Sequence, residues 1–384
     1  VRAAGTGEGG VIIPLSNFQG AGPAAAGTFQ GMSPSGAFDM AGNVREWLLN
    51  SAGERKHAVG GAWSDPTYFF SGPNVQAPFD RRPVNGFRLA QYTREDDFGG
   101  EAGQDMPLLV RDYNEEQPVS DEVFRAYAGQ FDYDPAPLDA VVEETLEYEF
   151  GRVEVVSFQG VGWGRIRAFL YLPDASAAPY QTVVWFPGST AAIARPDPDP
   201  LESAGAIEHF VASGRAVLAP ILRGTFSRAD RDQPPGMNTT WPKPTREYVD
   251  FARSWVSEMR RSVDYLESRP EIDSEKIAYY GTSWGGRYAA IIPAVEPRFA
   301  VNIAIIGGLA AGLALPEVDQ INYVTRITVP TLMLNGRHDP LEPVEGSQLP
   351  MFRLLGTPEA DKRHVIYDGY AHGVPRNERI AETL

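Results

Sequence analysis

The chain from residue 140 onward alternates between short apolar runs and longer amphipathic stretches. Three closely spaced runs predict an antiparallel lead-in of strands at 141–150, 153–158 and 166–172. The run at 181–186 is largely apolar, as expected for a strand buried on both faces. Further strands are predicted at 216–219, 277–280, 301–306, 331–334 and 364–367, with the clearest helix at 251–267. Strands that alternate with helices predict an α/β fold with a mostly parallel sheet covered on both faces.

Two earlier segments differ from this pattern. Residues 1–92 are rich in glycine, proline, alanine and aromatics and have little helical periodicity, so we expect a small loop-rich domain. The segment 93–139 begins charged and glycine-rich, which is typical of a domain boundary. Within it, Ser120 followed by two acidic residues predicts a short capped helix. We therefore divide the chain into a domain at 1–92, a structured linker at 93–139 and a domain at 140–384.

Composition limits the partners and the chemistry. The 384 residues have a formal net charge of −16, which argues against nucleic acid or an anionic membrane as partner. Cysteine is absent, which excludes disulfides, thiolate nucleophiles and thiolate metal sites.

No apolar run approaches the ~20 residues of a membrane helix, so we expect a soluble protein, cytoplasmic by default. Because the chain begins at Val1, we expect a fragment or a processed product. Nothing in the sequence indicates an oligomeric state.

A Gly-x-Ser-x-Gly sequence lies between a predicted strand and a predicted helix, as GTSWGG at 281–286. This is the context that a nucleophile elbow requires, because the serine occupies a strained turn where neighbouring Cβ atoms would clash. The alternative is an ordinary glycine-rich turn, since the bare pattern is common. We predict that Ser283 is a nucleophile.

A serine nucleophile needs a base to take its proton and an acid to orient that base. Asp339 follows the strand predicted at 331–334, and His372 follows the strand predicted at 364–367. Both lie at carboxyl ends of strands, where ligands bind in open α/β sheets. Nucleophile, acid and base also follow each other in the order found in α/β-hydrolases. We predict a Ser283–Asp339–His372 triad.

Each partner of Ser283 has an alternative interpretation. Asp339 could instead cap a helix, with Glu342 as the substitute acid, and His372 could be a histidine of a surface loop. The other histidines are less suitable because of their positions: His57 in the first domain, His209 in a predicted helix, His338 directly before the acid and His364 at a strand start.

The oxyanion of a tetrahedral intermediate needs hydrogen-bond donors. The backbone N–H of Trp284, directly after the nucleophile, is the first candidate. The loop after the strand at 181–186 reads PGST at 187–190. There, Gly188 permits close approach, and the N–H of Ser189 is the second candidate. The alternative is a simple proline–glycine turn.

The segment 223–255 is longer than a plain connection between strand and helix and is rich in aromatics and prolines. Such a segment predicts a cap over the site. Trp241, Tyr248 and Trp255 are the candidate substrate-pocket residues. The alternative is that these aromatics only cover the hydrophobic core.

The domain at 140–384 resembles the α/β-hydrolase superfamily, on the side of acetyl-xylan-esterase, dienelactone-hydrolase and prolyl-oligopeptidase-like enzymes. The resemblance is carried by GTSWGG at 281–286, NGRHD at 335–339 and GYAHG at 369–373. It implies a serine carboxylic-ester hydrolase that acts on a small-molecule ester through an acyl-enzyme and needs no cofactor. Dienelactone hydrolases proper have cysteine at the elbow, where this chain has Ser283.

Two other functions are compatible with these residues. A peptidase or amidase could use the same triad, but the chain has no propeller domain, and a comparison of ester with anilide substrates separates the two. A ligand-sensing module of a kinase protein would not require three intact catalytic groups. Labelling by a fluorophosphonate probe tests that second alternative.

The first 92 residues resemble the C-terminal half of a formylglycine-generating-enzyme (sulfatase-modifying factor) domain, which has a C-type-lectin-like fold. The resemblance is carried by FDMAGNVREW at 38–47, GGAWS at 60–64 and NGFRL at 85–89. The cysteine pair of that family falls on Asp65 and Phe70 here, so we expect no oxidase activity.

A calcium site is a further implication of this resemblance. Its side-chain ligands would be Asp39 and Glu46, and its carbonyl ligands Gly42 and Val44, which are the hard oxygen donors that calcium favours. The alternative is that the two acids cap loops and pair with arginines.

The order of the domains resembles bacterial multidomain proteins in which a serine/threonine protein kinase precedes a sulfatase-modifying-factor-like domain and a hydrolase. The sequence QPVSDEVF at 117–124 fits that arrangement. The resemblance implies a kinase domain before Val1 in the full-length product.

Overall fold

The computed structural model describes residues 16–18, 20–33, 36–65, 75–91, 103–106, 111–134, 136–192, 197–201, 203–229, 240–337, 339, 341–370 and 372–384. The chain forms two compact units, Val1–Val110 and Arg111–Leu384. The segment 93–139 is therefore divided between the two units, and its part from Arg111 onward belongs to the second.

The first unit contains a small sheet of four strands: β1 (Arg45–Ala52), β2 (Arg55–Val59), β3 (Val75–Gln76) and β4 (Asn85–Gly86). Their order is β3-β2-β1-β4, with β1 antiparallel to β2 and parallel to β4. Most other described residues of this unit lie in turns and loops, in keeping with their glycine- and proline-rich composition.

The second unit is built on a sheet of nine strands: β5 (Val141–Tyr148), β6 (Gly151–Gln159), β7 (Arg165–Pro173), β8 (Tyr180–Phe186), β9 (Ala216–Ile221), β10 (Ile272–Thr282), β11 (Phe299–Ile305), β12 (Thr331–Gly336) and β13 (Lys362–Tyr367). Their order is β5-β6-β7-β9-β8-β10-β11-β12-β13. The pairs β5–β6, β6–β7 and β7–β9 are antiparallel, and the pairs from β9 through β8, β10, β11 and β12 to β13 are parallel. The sheet is thus mostly parallel with an antiparallel lead-in, as the pattern predicts.

Eight helices accompany the strands in the described part of the second unit: α1 (Asp121–Ala128), α2 (Glu208–Ala212), α3 (Arg246–Glu267), α4 (Trp284–Tyr288), α5 (Ile292–Val295), α6 (Ile321–Val324), α7 (Leu349–Leu354) and α8 (Arg376–Thr383). Ser120 caps α1 as predicted, since its side chain accepts a hydrogen bond from the N–H of Val123. Helix α3 begins five residues before the predicted start, because Thr245 caps it by accepting the N–H of Tyr248 at 3.3 Å. None of the described helices is long and apolar enough to cross a membrane.

The core lies on both faces of the nine-stranded sheet. Side chains alternate between the faces along a strand, so neighbours such as Tyr279 and Tyr280 enter different clusters. The first cluster packs against α3, where Phe158 stacks on Tyr265 with ring centroids 4.8 Å apart. The second cluster packs against α2 through Phe210. This two-sided burial leaves the strand ends as the place for polar chemistry.

Candidate active site

Ser283 lies in the turn between β10 and α4 with φ 55° and ψ −106°. This conformation is strained for a residue with a side chain, as the elbow prediction requires. Glycine is needed on both sides, because a Cβ at Gly281 would collide with the carbonyl of Gly285, and one at Gly285 would collide with that of Phe186. Tyr279 of β10 stabilises the turn, because its hydroxyl donates a hydrogen bond to the Gly285 carbonyl at 2.7 Å.

The structure brings the side chains of Ser283, His372 and Asp339 together. Ser283 Oγ lies 2.7 Å from His372 Nε2, and His372 Nδ1 lies 2.7 Å from Asp339 Oδ2. The three residues follow β10, β13 and β12, whose carboxyl ends share one sheet edge. The Asp339 side chain is fully buried and that of His372 is 12% exposed. Such a chain of hydrogen bonds can carry a proton from a hydroxyl to an oriented imidazole.

The loop after β12 fixes the orientation of the acid. Asp339 Oδ1 accepts the backbone N–H groups of Leu341 and Glu342, at 2.9 and 3.1 Å. Its other oxygen is thereby directed to His372. Glu342, the substitute acid in the sequence interpretation, instead accepts a hydrogen bond from Arg287 at 2.6 Å. Burial raises the pKa of Glu342, and Arg287 opposes that effect.

The other described histidines have partners elsewhere. His57 contacts the carbonyl of Met106 and His209 the hydroxyl of Thr383, at 2.8 and 3.1 Å. His364 lies 3.1 Å from the Asn335 side chain. Burial lowers the pKa of both His209 and His364 to about 4. His338 lies outside the described residues.

Both candidate oxyanion donors belong to segments next to Ser283. Trp284 is the first residue of α4, where a backbone N–H has no acceptor within the helix. The loop after β8 lies against the elbow, since Gly285 N donates to the Pro187 carbonyl at 3.2 Å. A Cβ at Gly188 would be 3.5 Å from that of Ser283. Ser189, the next residue, is buried and begins a 3-10 turn.

A protein-family model identifies the family of this chain. Residues 105–310 match the family described as acetyl xylan esterase (AXE1), which is more than half of the chain. The chain belongs to the acetyl xylan esterase family. It is a carboxylic-ester hydrolase, which confirms the predicted reaction class.

Solved structures of acetyl xylan esterases share the fold. The enzyme from Paenibacillus sp. R4 matches with a TM-score of 0.52 and 20% identity, over 72% of this chain and 98% of that chain. Acetyl Xylan Esterase 1 from Thermoanaerobacterium sp. JW/SL YS485 matches with a TM-score of 0.54 and 20% identity, over 73% of this chain and 97% of that chain. These likenesses confirm the predicted α/β-hydrolase fold. No curated protein sequence matches the chain.

The three predicted pocket residues of this esterase lie in different surroundings. Tyr248 and Trp255 are buried on α3, where the Trp255 ring packs edge-on against Trp284 at 4.6 Å between centroids. Their packing is that of core residues, the alternative that the sequence left open. Trp241 is partly exposed, and the Arg287 guanidinium carbon lies 3.7 Å from its ring centroid. Trp241 thus remains the pocket candidate of the three.

The predicted calcium ligands have protein partners in the first unit. Arg88 donates to both Glu46 oxygens, the shortest bond being 2.7 Å, and Asp39 accepts the N–H of Gly27 at 2.9 Å. Glu46 thus pairs with an arginine and Asp39 caps a loop, which are the contacts of the alternative interpretation, and the calcium site stays a prediction. The described residues hold no group of three or more metal-ligating His, Cys, Asp or Glu side chains. Metal analysis of the purified protein tests the prediction.

The position predicted for the first family cysteine has a structural role. Asp65 accepts from Arg45 at 2.6 and 2.9 Å and from the N–H of Ala62 at 2.8 Å, and both side chains of the pair are buried. Phe70, the second position, lies outside the described residues, as do Pro234 and Pro235 of the predicted cap.

Arg287 and Thr240 also lie in the site, although no sequence motif points to them. Arg287 is 3% exposed beside the elbow. Its position gives one sequence signal, because it lies four residues after Ser283 on the short helix that follows the nucleophile. A charged side chain that is buried there needs a partner of opposite charge. Thr240 has no comparable signal, because its contacts depend on the fold alone.

Proposed function

We propose that this acetyl xylan esterase family member hydrolyses carboxylic esters through Ser283, with His372 as general base and Asp339 as its orienting acid. The observation that carries the proposal is the continuous chain of two 2.7 Å hydrogen bonds at a strained elbow. These contacts support the assigned roles, because the mechanism needs a base within hydrogen-bond reach of the serine and an acid hydrogen-bonded to that base.

The reaction follows from this geometry in two steps. Ser283 Oγ attacks the acyl carbon while His372 Nε2 takes its proton, and the backbone N–H groups of Trp284 and Ser189 bind the oxyanion. His372 then gives the proton to the leaving alcohol, so that an acyl-enzyme remains. Water, deprotonated by His372, releases the acid and restores Ser283. No step requires a cofactor.

Short acyl esters are the proposed substrate class, with acetyl esters first among them. The family membership supports this choice. Trp241 is the described aromatic side chain that we place at the wall of the pocket, through its contact with Arg287 behind the elbow.

The replacement Ser283→Ala tests the mechanism. We expect kcat/KM for p-nitrophenyl acetate to fall by about 10⁴-fold or more, because the nucleophile is removed and only binding and oxyanion stabilisation remain. Labelling by a fluorophosphonate should be lost as well.

The matched control is Ser254→Ala, which removes a buried hydroxyl that donates to the Phe251 carbonyl in α3. This variant should keep both turnover and labelling. Ester turnover by Ser283→Ala at the wild-type rate would refute the proposal.

For the first unit we propose a non-catalytic domain related to formylglycine-generating enzymes, in a longer protein that includes a kinase. The support is the sequence resemblance together with the ion pair of Asp65 and Arg45 at a family cysteine position.

A further inference from the structure

A buried ion pair lies directly behind the elbow. Arg287 Nε donates to Glu342 Oε1 at 2.6 Å, and the two side chains are 3% and 0% exposed. Ser347 donates its hydroxyl to the other Glu342 oxygen at 2.6 Å. Because a buried pair is costly to desolvate, it is weak evidence for stability and is better understood as fixing a geometry. The pair joins the helix after the nucleophile to the loop that carries Asp339.

The same guanidinium holds a second loop. Arg287 Nη1 donates to the backbone carbonyl of Thr240 at 3.2 Å, and the ring of Trp241 covers the guanidinium. One arginine therefore contacts a carboxylate, a carbonyl and an aromatic face. These contacts fix the backbone at 240–241 relative to the elbow.

Thr240 connects this backbone to the oxyanion loop, the segment 187–190 that carries the second candidate oxyanion donor. Its Oγ1 lies 2.8 Å from Ser189 Oγ, and both residues are buried. A chain of contacts thus runs from Glu342 through Arg287 and Thr240 to Ser189. Its two ends are the loop of the catalytic acid and the loop of the second oxyanion donor.

We infer that Thr240 is a positioning residue for the oxyanion site, and that Arg287, anchored by Glu342, holds it in place. The inference rests on the proposed function, since it assigns the Ser189 N–H to the oxyanion. Thr240 acts through the Ser189 side chain and touches no reacting atom. Donors to an oxyanion must be placed to within a fraction of an ångström, because their effect is realised only in the transition state.

The replacement Thr240→Val tests this role, because valine has nearly the same shape and lacks the hydroxyl. We expect kcat for p-nitrophenyl acetate to fall by about 10- to 100-fold, below the loss for a deleted oxyanion donor, while KM changes little. Thr240→Ser restores the hydroxyl and should recover kcat to within about 3-fold of wild type. A merely structural threonine would not produce this split of kcat from KM with rescue by serine.

A double-mutant cycle with Ser189→Ala identifies the pathway of the effect. Ser189→Ala keeps the backbone N–H and removes the Oγ that Thr240 contacts. If both variants break one link, the double variant should be no slower than the slower single variant. Multiplied effects, or a Thr240→Val variant with wild-type kcat, would overturn the inference.

Two further measurements keep the outcomes distinct. Arg287→Lys keeps a positive charge beside Glu342 but lacks the planar guanidinium, whose Nε and Nη1 contact Glu342 and the Thr240 carbonyl separately. The kcat should therefore fall as in Thr240→Val, and an unchanged kcat contradicts the role of Arg287. Should Thr240→Val fail to fold in a thermal melt, Ser189→Ala alone tests the link from its other end.

The outcomes separate the two proposals. An active Ser283→Ala variant would refute the proposed function. If Ser283→Ala is inactive and Thr240→Val is fully active, only this inference is refuted.

Discussion

His209 gives the second unit a dependence on pH that is unrelated to catalysis. It lies on α2, 8% exposed, and burial lowers its pKa to about 4, with Arg379, Arg376 and Arg215 adding to the effect. In an unfolded chain a histidine titrates near 6.5. Between pH 6.5 and 4 the unfolded chain therefore binds the proton more readily, so the free energy of unfolding falls as the pH falls.

The replacement His209→Gln removes this titration and retains a polar group near Thr383. We expect the melting temperature of the variant to fall less steeply than that of wild type between pH 6.5 and 4. Thr383→Val is the control, because it removes the 3.1 Å contact and leaves the histidine to titrate. It should lower the melting temperature without flattening its pH dependence. Equal slopes for His209→Gln and wild type would contradict this prediction.

The catalytic residues at the strand ends could be predicted from the sequence. The residues that packing brings to the site could not. Ser283, Asp339 and His372 each follow an apolar run, and their order along the chain is informative by itself. The partners Thr240 and Arg287 are 47 residues apart, and those of the Arg287–Glu342 pair are 55 apart. Nothing in a single sequence indicates that such residues meet. Tyr248 and Trp255 were predicted to line the pocket but are buried on α3. The sequence does not distinguish an aromatic residue of a cap from one of the core.

At the scale of elements, the central strands were predictable and the short helices were not. The strand predicted at 181–186 is β8 almost to the residue, because an apolar run between turn residues has few other conformations. By contrast, α4 has only five residues and begins directly after Ser283. A Cβ at Gly286 would be 2.8 Å from the Gly307 Cα, so close backbone packing against the segment after β11 decides this helix, not propensity.

The packing of the elbow against β8 makes Gly285 sensitive to replacement. The Cβ of Gly285→Ala would collide with the Phe186 carbonyl, and relief requires the end of β8, with the oxyanion loop that follows, to move. We expect destabilisation of about 1–3 kcal/mol, which lowers the melting temperature by several degrees, together with at least a roughly 10-fold loss of kcat.

Gly205→Ala is the matched control, because a Cβ at Gly205 has no atom within 4 Å. Its melting temperature and kcat should stay close to those of wild type. If Gly285→Ala were equally harmless, the elbow would not be held by this contact.

At the scale of the whole molecule, the boundary of the hydrolase unit is the main difference from the sequence prediction. The predicted domain starts at 140, whereas the compact unit starts at Arg111 and the family match at 105. Tyr113 and Phe131 explain the difference. Both are buried in the core of the nine-stranded unit, and Tyr113 donates its hydroxyl to the Ala310 carbonyl at 2.6 Å. Composition marks a charged connector near 94–101 but does not show where the following aromatics pack.

Two fragments test this boundary. Both described core clusters of the unit consist of residues from Tyr113 onward, so we expect 111–384 to fold alone and to hydrolyse p-nitrophenyl acetate with kcat within about 3-fold of the whole chain. The fragment 140–384 loses two large buried aromatics, each worth about 3–5 kcal/mol when truncated to alanine. Since the net stability of a domain is only about 5–15 kcal/mol, this fragment should be unfolded or aggregated. Cooperative melting and full activity of 140–384 would show that Tyr113 and Phe131 are dispensable to the hydrolase core, whereas inactivity of a folded 111–384 would show that catalysis depends on the first unit.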